Sequence, residues 1–274
     1  METTVSPLDE KTIEDFRANG YIALPDVLSA EEIAGACASF SQIVRERVHR
    51  GSAAASDNVP MVQFEPGFDP GAAEVDPDKA ELLVRKFMWF VKTKPALGAL
   101  VQPDHFIVRV VSQLIGPAPI LFQDMALIKP PFIGSQKPWH QDNAYFSFAP
   151  LDSICGVWIA LDDVDVDNGC MHVLPGWHKD GPLIHHHGSD CEIATNKLAI
   201  HDVVPVPMAA GGAMFFYGML PHYTPPNKSP RRRRALQFHF RSANTRRLPD
   251  DEYNAVYAEN GAPASCAAAR RGSS

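Results

Sequence analysis

The chain has 274 residues, of which 45% are hydrophobic and 21% charged, a composition typical of a globular protein with one large domain and a substantial core. Its formal charge of −7 offers no general attraction to nucleic acid or to an anionic membrane surface, and no run of 18 apolar residues predicts a membrane-spanning helix. The first residues lack a basic stretch followed by an apolar one, so the sequence predicts a cytoplasmic protein whose partner is a small molecule.

The predicted N-terminal part, about residues 8–115, is mainly helical. Residues 8–19 show amphipathic spacing, and the run YIAL that follows predicts a strand. Ser29 and Glu32 match a capping box, which predicts a helix from there to about residue 48.

The next stretch, residues 51–77, is rich in Ala, Ser, Gly, Pro and Asp, which predicts a long loop that could serve as a lid. Apolar spacing of three and four then predicts helices at 78–92 and 104–114.

After Gly116 the pattern changes to short β-rich runs separated by Gly, Pro and Asn turns. These runs are ILFQDMALI, ICGVWIALDDV, CMHVLP, DVVPV, AMFFY and RALQFHFR. They predict a mainly β protein with flanking helices, an α+β arrangement whose core at about 117–242 is a double-stranded β-helix of the jelly-roll, cupin-like kind. We expect residues 1–274 to form a single domain, with a flexible tail at about 262–274.

The stretch WHQDNAYF, at 139–146, carries the first candidate metal ligands. Side chains alternate along a strand, so His140 and Asp142 would share a face with Cα atoms about 6.7 Å apart. Such a pair alone is weak evidence for a metal site. His222, just after the predicted strand AMFFY, is the best candidate for a third ligand. Two imidazoles and one carboxylate would form the facial triad of non-haem Fe(II) oxygenases, which leaves positions open for a co-substrate and O₂.

A basic run, Arg231 to Arg234, leads into the last predicted strand. Most runs of charge are solvated. Alternation along the strand nevertheless places Arg231 and Arg233 opposite to Arg232 and Arg234, so one arginine can point inward. A buried guanidinium would suit a dicarboxylate, because its planar fork pairs with a carboxylate through two hydrogen bonds.

Three segments carry a resemblance to a known family: HQD, VWIALDDVDVDNGCMHVLPGWHK and PHYTPPNKSPRRRRALQFHF, preceded by F-x-x-x-GY and the capping-box helix. In their order and spacing they resemble the phytanoyl-CoA dioxygenase family of Fe(II)/2-oxoglutarate-dependent oxygenases. The resemblance extends from about residue 12 to residue 242.

The resemblance implies roles for nine residues. His140, Asp142 and His222 fall on the iron ligands, and Arg233 falls on the arginine that binds the distal carboxylate of 2-oxoglutarate. Five more positions match residues that line or contact the co-substrate site: Thr224, Trp158, Met125, Gln123 and Lys86. Core packing explains Trp158 and Met125 about as well as cofactor contact does.

The resemblance also implies Fe(II), 2-oxoglutarate as co-substrate and O₂, with oxidation of a substrate C–H bond coupled to formation of succinate and CO₂. Related halogenases carry Gly or Ala where this chain has Asp142, so hydroxylation or another oxidation such as desaturation is favoured. Two alternatives stay open, a jelly-roll metal-binding isomerase and a non-catalytic metal-binding module. Substrate contacts are expected from residues 51–77, from residues 180–200 and from the C-terminal segment.

Other histidines have simpler interpretations. His239 alternates with Gln237 and is expected to be a core histidine inside the barrel, and His178 is expected to be structural or near the substrate and not a ligand. The run from His185 to His187 predicts a solvated loop.

Overall fold

The computed structural model describes residues 7–50, 60–70, 75–146, 148–187, 190–193, 198 and 200–258. The helices are α1 (Glu10–Asn19), α2 (Ala30–Arg50), α3 (Pro77–Glu81), α4 (Pro95–Ala99), α5 (Phe106–Ile115) and α6 (Asp250–Tyr257). The strands are β1 (Tyr21–Leu24), β2 (Met61–Phe64), β3 (Val84–Met88), β4 (Ile120–Lys129), β5 (Lys137–His140), β6 (Phe148–Ala149), β7 (Ile154–Ala160), β8 (Met171–Val173), β9 (His185–His187), β10 (Cys191–Ile193), β11 (Val204–Val206), β12 (Ala213–Tyr217), β13 (His222–Thr224), β14 (Arg233–Arg241) and β15 (Arg246–Arg247).

Two antiparallel sheets form the core. The larger sheet has seven strands in the order β1-β12-β7-β14-β4-β3-β2, and the smaller has four in the order β11-β8-β13-β5. Side chains from both sheets meet in one buried cluster, which includes Trp158 on β7, Met171 on β8, Val206 on β11 and Met214 on β12. The structure is therefore the mainly β, double-stranded β-helix core with flanking helices that the sequence predicts.

Helices α1 to α5 cover the outer face of the larger sheet. Alternation along β14 separates its two faces, because Leu236, Phe238 and Phe240 belong to the cluster that contains Phe16 of α1 and Phe40 of α2. The residues between them point to the space between the sheets. This alternation fixes which side chains of β14 can reach a site inside the barrel.

Local signals explain where the first helices begin. Asp9 caps α1, since its carboxylate accepts a hydrogen bond from the Thr12 amide at 2.8 Å. The predicted capping box is present at α2, where Glu32 accepts from the Ser29 amide at 2.8 Å and Ser29 Oγ accepts from the Glu32 amide at 3.3 Å.

Three predictions of secondary structure are wrong. The helix expected at 78–92 ends at Glu81, and Val84–Met88 forms β3 instead, paired with β4. The loop expected at 51–77 contains β2, and the N-terminal part thus contributes three strands to the larger sheet. The histidine run forms β9, which pairs with β10, and His185 is buried.

Some predictions fall outside the described residues. These are the flexible tail at 262–274, most of the loop at 51–59 and 71–74, and parts of the 180–200 segment. Within the described residues, no helix combines the length and the apolar character needed to cross a bilayer.

Candidate active site

The two candidate imidazole ligands lie side by side on neighbouring strands. His140 ends β5 and His222 begins β13, and the two residues face each other in the strand register. Their ring centroids are 4.2 Å apart. Asp142 Oδ1 lies 3.4 Å from His140 Nε2 and 3.7 Å from His222 Nε2. The three candidate ligand atoms all lie within 4.8 Å of one another, which a single metal ion could bridge.

Asp142 reaches this position from a turn, not from the strand that the sequence predicts. The strand ends at His140, Gln141 is still extended (φ −109°, ψ 131°), and Asp142 begins a 3₁₀ turn, Asp142–Ala144. The extended Gln141 preserves the alternation on which the prediction depends. Its amide donates to His185 Nε2 at 2.8 Å, and its side chain donates to Gly181 O at 2.9 Å and to Met219 O at 2.8 Å.

Backbone carbonyls orient both imidazoles. His140 Nδ1 donates to Pro138 O at 2.7 Å, and His222 Nδ1 donates to Leu220 O at 2.9 Å. Because a carbonyl can only accept, Nδ1 carries a proton in each ring, and Nε2 is the nitrogen that faces Asp142. Burial, and then the neighbouring His140, lower the pKa of His222 to about 3, so this ring is neutral and suited to bind a metal.

The second oxygen of Asp142 is held by two side chains of β14. His239 Nε2 donates to Asp142 Oδ2 at 2.7 Å, and Gln237 Nε2 lies 3.2 Å from the same oxygen. Burial alone would favour the neutral carboxyl, but the adjacent imidazoles of His239 and His222 and the hydrogen bond from His239 outweigh burial and hold the pKa of Asp142 well below its usual value. One oxygen thus faces the imidazoles while the other is fixed from behind.

The triad opens into a cavity of about 400 Å³ between the sheets. Arg233 also lines this cavity and is 1% exposed. Its Nη1 donates to Leu127 O at 2.9 Å, and its guanidinium lies 5.4 Å from the centroid of the Trp158 ring. Its Nε has no hydrogen-bond partner, and within the described part of the chain Arg233 makes no ion pair with a carboxylate. Burial lowers the pKa of Arg233 to about 9, so it is still a cation at neutral pH.

The other arginines of the run point elsewhere. Arg231 pairs with Asp165, Arg232 with Glu81 at 3.0 Å, and Arg234 with Asp162.

The structure also places the other predicted cofactor residues. Thr224, Met125, Gln123 and Lys86 line the cavity that holds the triad. Gln123 Oε1 is buried without a partner there. Trp158 lies one layer deeper, because it packs beneath Arg233 in the buried cluster between the sheets.

Several residues that line this cavity were not predicted as site residues, among them Lys129, Gln237, His239 and Trp89. Lys129 lines its wall and donates from Nζ to Ser135 O at 2.6 Å, to Pro225 O at 2.7 Å and to Thr224 O at 3.3 Å. Gln237 and His239 hold Asp142, and Trp89 lies at the cavity wall after β3. Alternation along β14 from Arg233 could have identified Gln237 and His239, whereas Trp89 was hidden by the helix predicted over β3.

Known proteins resemble the chain over most of its length. A model of the family described as Phytanoyl-CoA dioxygenase (PhyH) matches residues 16–235. The peroxisomal phytanoyl-CoA dioxygenase of Bos taurus is 30% identical over 254 residues, covering 89% of this chain and 71% of that protein. The phytanoyl-CoA dioxygenase domain-containing protein 1 of Danio rerio is 27% identical over 278 residues, covering 89% of this chain and 94% of that protein.

Solved structures share the fold. EvdO2 from Micromonospora carbonacea var. aurantiaca, complexed with 2-oxoglutarate, superposes with a TM-score of 0.66 at 26% identity, covering 92% of this chain and 98% of that one. EctD from S. alaskensis with bound Fe gives a TM-score of 0.68 at 20% identity, covering 91% and 82%, and is alike in fold. Since the family model matches far more than half of the residues of this chain, the chain belongs to the phytanoyl-CoA dioxygenase family.

Proposed function

We propose that this dioxygenase uses Fe(II) and 2-oxoglutarate to oxidise a C–H bond of a small-molecule substrate, with hydroxylation as the favoured outcome. His140, Asp142 and His222 would hold the iron, and Arg233 would bind the distal carboxylate of 2-oxoglutarate. The observation that carries the proposal is that Arg233, a buried cation with an unpartnered Nε, lines the same cavity as the triad.

The donor set fits ferrous iron. It contains two imidazoles and one carboxylate, with no thiolate, and three protein ligands leave other positions free for a co-substrate. When bound, Fe(II) supplies the activation of O₂ that couples 2-oxoglutarate decarboxylation to substrate oxidation.

The charge of the cavity fits a dicarboxylate co-substrate. Lys129 lies beside Arg233 in the register of β4 and β14, and neither forms an ion pair with a carboxylate among the described residues. Arg233 is a buried cation without a protein counter-charge, which is costly, and an anionic ligand offsets that cost. The Arg233 fork can bind one end of 2-oxoglutarate while the other end points toward the triad.

The protein's own residues then orient and shield the reaction. The Nδ1 bonds of His140 and His222 fix both rings, and His239 fixes Asp142. Because the triad is 2% to 4% exposed, water has little access to it, which protects an oxidising site from side reactions.

Two rival functions use the same triad. An isomerase or a non-catalytic metal-binding module with a jelly-roll core could also bind a metal through two histidines and an aspartate. Neither requires a buried arginine for a dicarboxylate, so Arg233 favours the oxygenase.

Anaerobic spectroscopy tests the proposal. Addition of Fe(II) and 2-oxoglutarate to the protein should produce a visible charge-transfer band, and His140→Ala should abolish it. With O₂ present, a metabolite screen for stimulated succinate release would identify substrates. A wild-type protein that binds Fe(II) but gives no band with 2-oxoglutarate would point to one of the rival functions.

Two further expectations stay predictions. Limited proteolysis tests whether residues 1–274 form a single domain. Cell fractionation tests the cytoplasmic location.

A further inference from the structure

Three methionines form a row across one wall of the cavity. Met61 on β2 faces Met88 on β3, and Met88 faces Met125 on β4 in the strand register. All three line the cavity that holds the triad. Methionine side chains are flexible and polarisable, so such a row forms an apolar surface that adapts to the shape of a ligand.

Trp89, directly after β3, continues this apolar wall in a strained conformation. It lines the cavity, its side chain is 47% exposed, and its φ is +61°. Bulky residues rarely adopt positive φ, since the Cβ then approaches the backbone. Within the described residues, the indole makes no aromatic contact and no hydrogen bond.

The fold holds this strained position with a buried carboxylate. Asp124, 6% exposed, accepts hydrogen bonds from the amides of Phe90 at 2.6 Å and Val91 at 3.1 Å, and its own carbonyl accepts from the Trp89 amide at 3.2 Å. These bonds fix the backbone on both sides of the indole. Strain that surrounding contacts maintain, on a side chain that packs against little, is a feature of ligand-binding positions.

We infer that Trp89, with Met61 and Met88, forms the binding surface for the primary substrate and that this substrate has an apolar body. The inference rests on the proposed function, which places the reacting C–H bond in the same cavity. The indole offers a flat face for stacking, and the methionine row offers adaptable contacts beside it.

Binding of a neutral apolar fluorophore, N-phenyl-1-naphthylamine, tests this surface. Because the probe carries no charge, the basic side chains of the cavity do not attract it. The probe is titrated into the full-length protein loaded anaerobically with Fe(II) and 2-oxoglutarate. Trp89→Gly should weaken its binding about tenfold, the scale of one lost aromatic contact. Because Gly adopts positive φ freely, the same variant should keep or raise the melting temperature. A merely structural tryptophan would instead lower it.

Phe132 provides the matched control. It is also aromatic, exposed (67%) and at positive φ (+63°), but it does not line the cavity. Phe132→Gly should likewise keep or raise the melting temperature and should leave fluorophore binding unchanged. Met61→Gln should weaken binding about threefold, since it places a polar group on the apolar wall.

The outcomes separate this inference from the proposed function. If wild-type protein shows the charge-transfer band but Trp89→Gly binds the fluorophore as tightly as wild type, the substrate surface is assigned wrongly. Equal losses of fluorophore affinity in Trp89→Gly and Phe132→Gly would also overturn the inference. If Trp89→Gly does not fold, Trp89→Asn replaces it, because asparagine tolerates positive φ. Failure of the band itself concerns only the proposed function.

Discussion

Arg232 and Arg233 are neighbours in the chain with opposite environments. Arg233 is buried in the cavity beside Trp158, whereas Arg232 is bonded to Glu81 outside it. The difference follows from the alternation of side chains at the start of β14, so a sequence of four arginines provides one candidate anchor.

Arg233→Gln should raise the KM for 2-oxoglutarate at least tenfold and leave Fe(II) affinity nearly unchanged. Loss of a charge-assisted, two-bond contact to a carboxylate is worth about 1.5–3 kcal/mol. Succinate production measured over a range of 2-oxoglutarate concentrations, together with anaerobic Fe(II) titration, checks this. Arg232→Gln is the matched control and should change neither quantity. Parallel loss of iron and co-substrate binding in Arg233→Gln would refute the assigned role.

His239 was expected to be a core histidine, and the structure gives it a neighbour that changes the interpretation. Its ring is buried beside Phe146, with centroids 4.9 Å apart, and its Nε2 donates to the outer oxygen of Asp142. It is therefore a positioning residue for the candidate ligand Asp142 and is not itself a candidate ligand.

His239→Phe should weaken Fe(II) binding by roughly 10- to 100-fold, the usual effect of removing a partner of a metal ligand. Anaerobic Fe(II) titration measures this without turnover. His239→Gln, which keeps a donor, should recover part of the affinity. Unchanged iron affinity in His239→Phe would show that Gln237 alone is enough to orient Asp142.

At the scale of elements, strongly patterned segments were predictable and ambiguous ones were not. α1 and α2 have both periodic apolar positions and side-chain caps, and β14 has strict alternation. Residues 84–88 form β3 because of pairing with β4, a tertiary effect that spacing of three and four cannot reveal. Similarly, residues 250–257 carry no strong pattern and form α6 over the catalytic turn, where Tyr253 and Tyr257 are buried.

α6 stabilises the turn that carries Asp142. Tyr253 Oη donates to Ala144 O at 2.6 Å, and both residues are fully buried. Tyr253→Phe should lower the free energy of unfolding by about 1–3 kcal/mol, because the carbonyl is left without a partner. Chemical denaturation measures this.

Tyr257→Phe is the control within the same helix, since among the described residues its hydroxyl has one hydrogen-bond partner, Met219 Sδ, at 3.7 Å. Tyr257→Phe should lower the free energy of unfolding by less than Tyr253→Phe does. If both variants lose the same stability, the effect comes from helix packing and not from the bond to the turn.

At the scale of the whole molecule, the cavity is lined by more basic than acidic side chains. Burial, and then Arg233, lower the pKa of Lys129 to about 6, and burial, and then Lys137, lower the pKa of Lys86 to about 8. A chain with a formal charge of −7 thus gathers basic side chains around the candidate site, and burial moves the pKa of two of them toward neutral pH. The same arrangement makes the stability of the unloaded protein, without Fe(II) and 2-oxoglutarate, depend on pH.

The sign of that dependence follows from Lys129. In the unfolded chain a lysine titrates near its usual value of about 10.4, whereas in the folded protein the pKa of Lys129 is about 6. Between these values the unfolded chain binds more protons, so the stability of the unloaded protein should rise with pH. Burial raises the pKa of Cys155 to about 12, and because a free thiol titrates near about 8.5 this opposes the trend at higher pH. The histidines whose pKa burial lowers, among them His185 and His222, add to the rise near pH 6.5, so the window in which Lys129 dominates is about pH 7 to 7.5.

Lys129→Met should flatten the rise by roughly 1 kcal/mol per pH unit in this window, because one titrating cation is removed. Urea unfolding at several pH values, without Fe(II) and 2-oxoglutarate, measures how steeply the free energy of unfolding rises with pH. The variant also loses the hydrogen bonds from Lys129 to three carbonyls, but that loss is the same at each pH and does not change the slope. Lys86→Met should keep the slope, since the pKa of Lys86 is about 8 in the folded state and its contribution falls above the window. If stability rises with pH as steeply in Lys129→Met as in the wild type, Lys129 does not cause the rise. Its three carbonyl partners would then keep it charged in the wild-type protein throughout the neutral range.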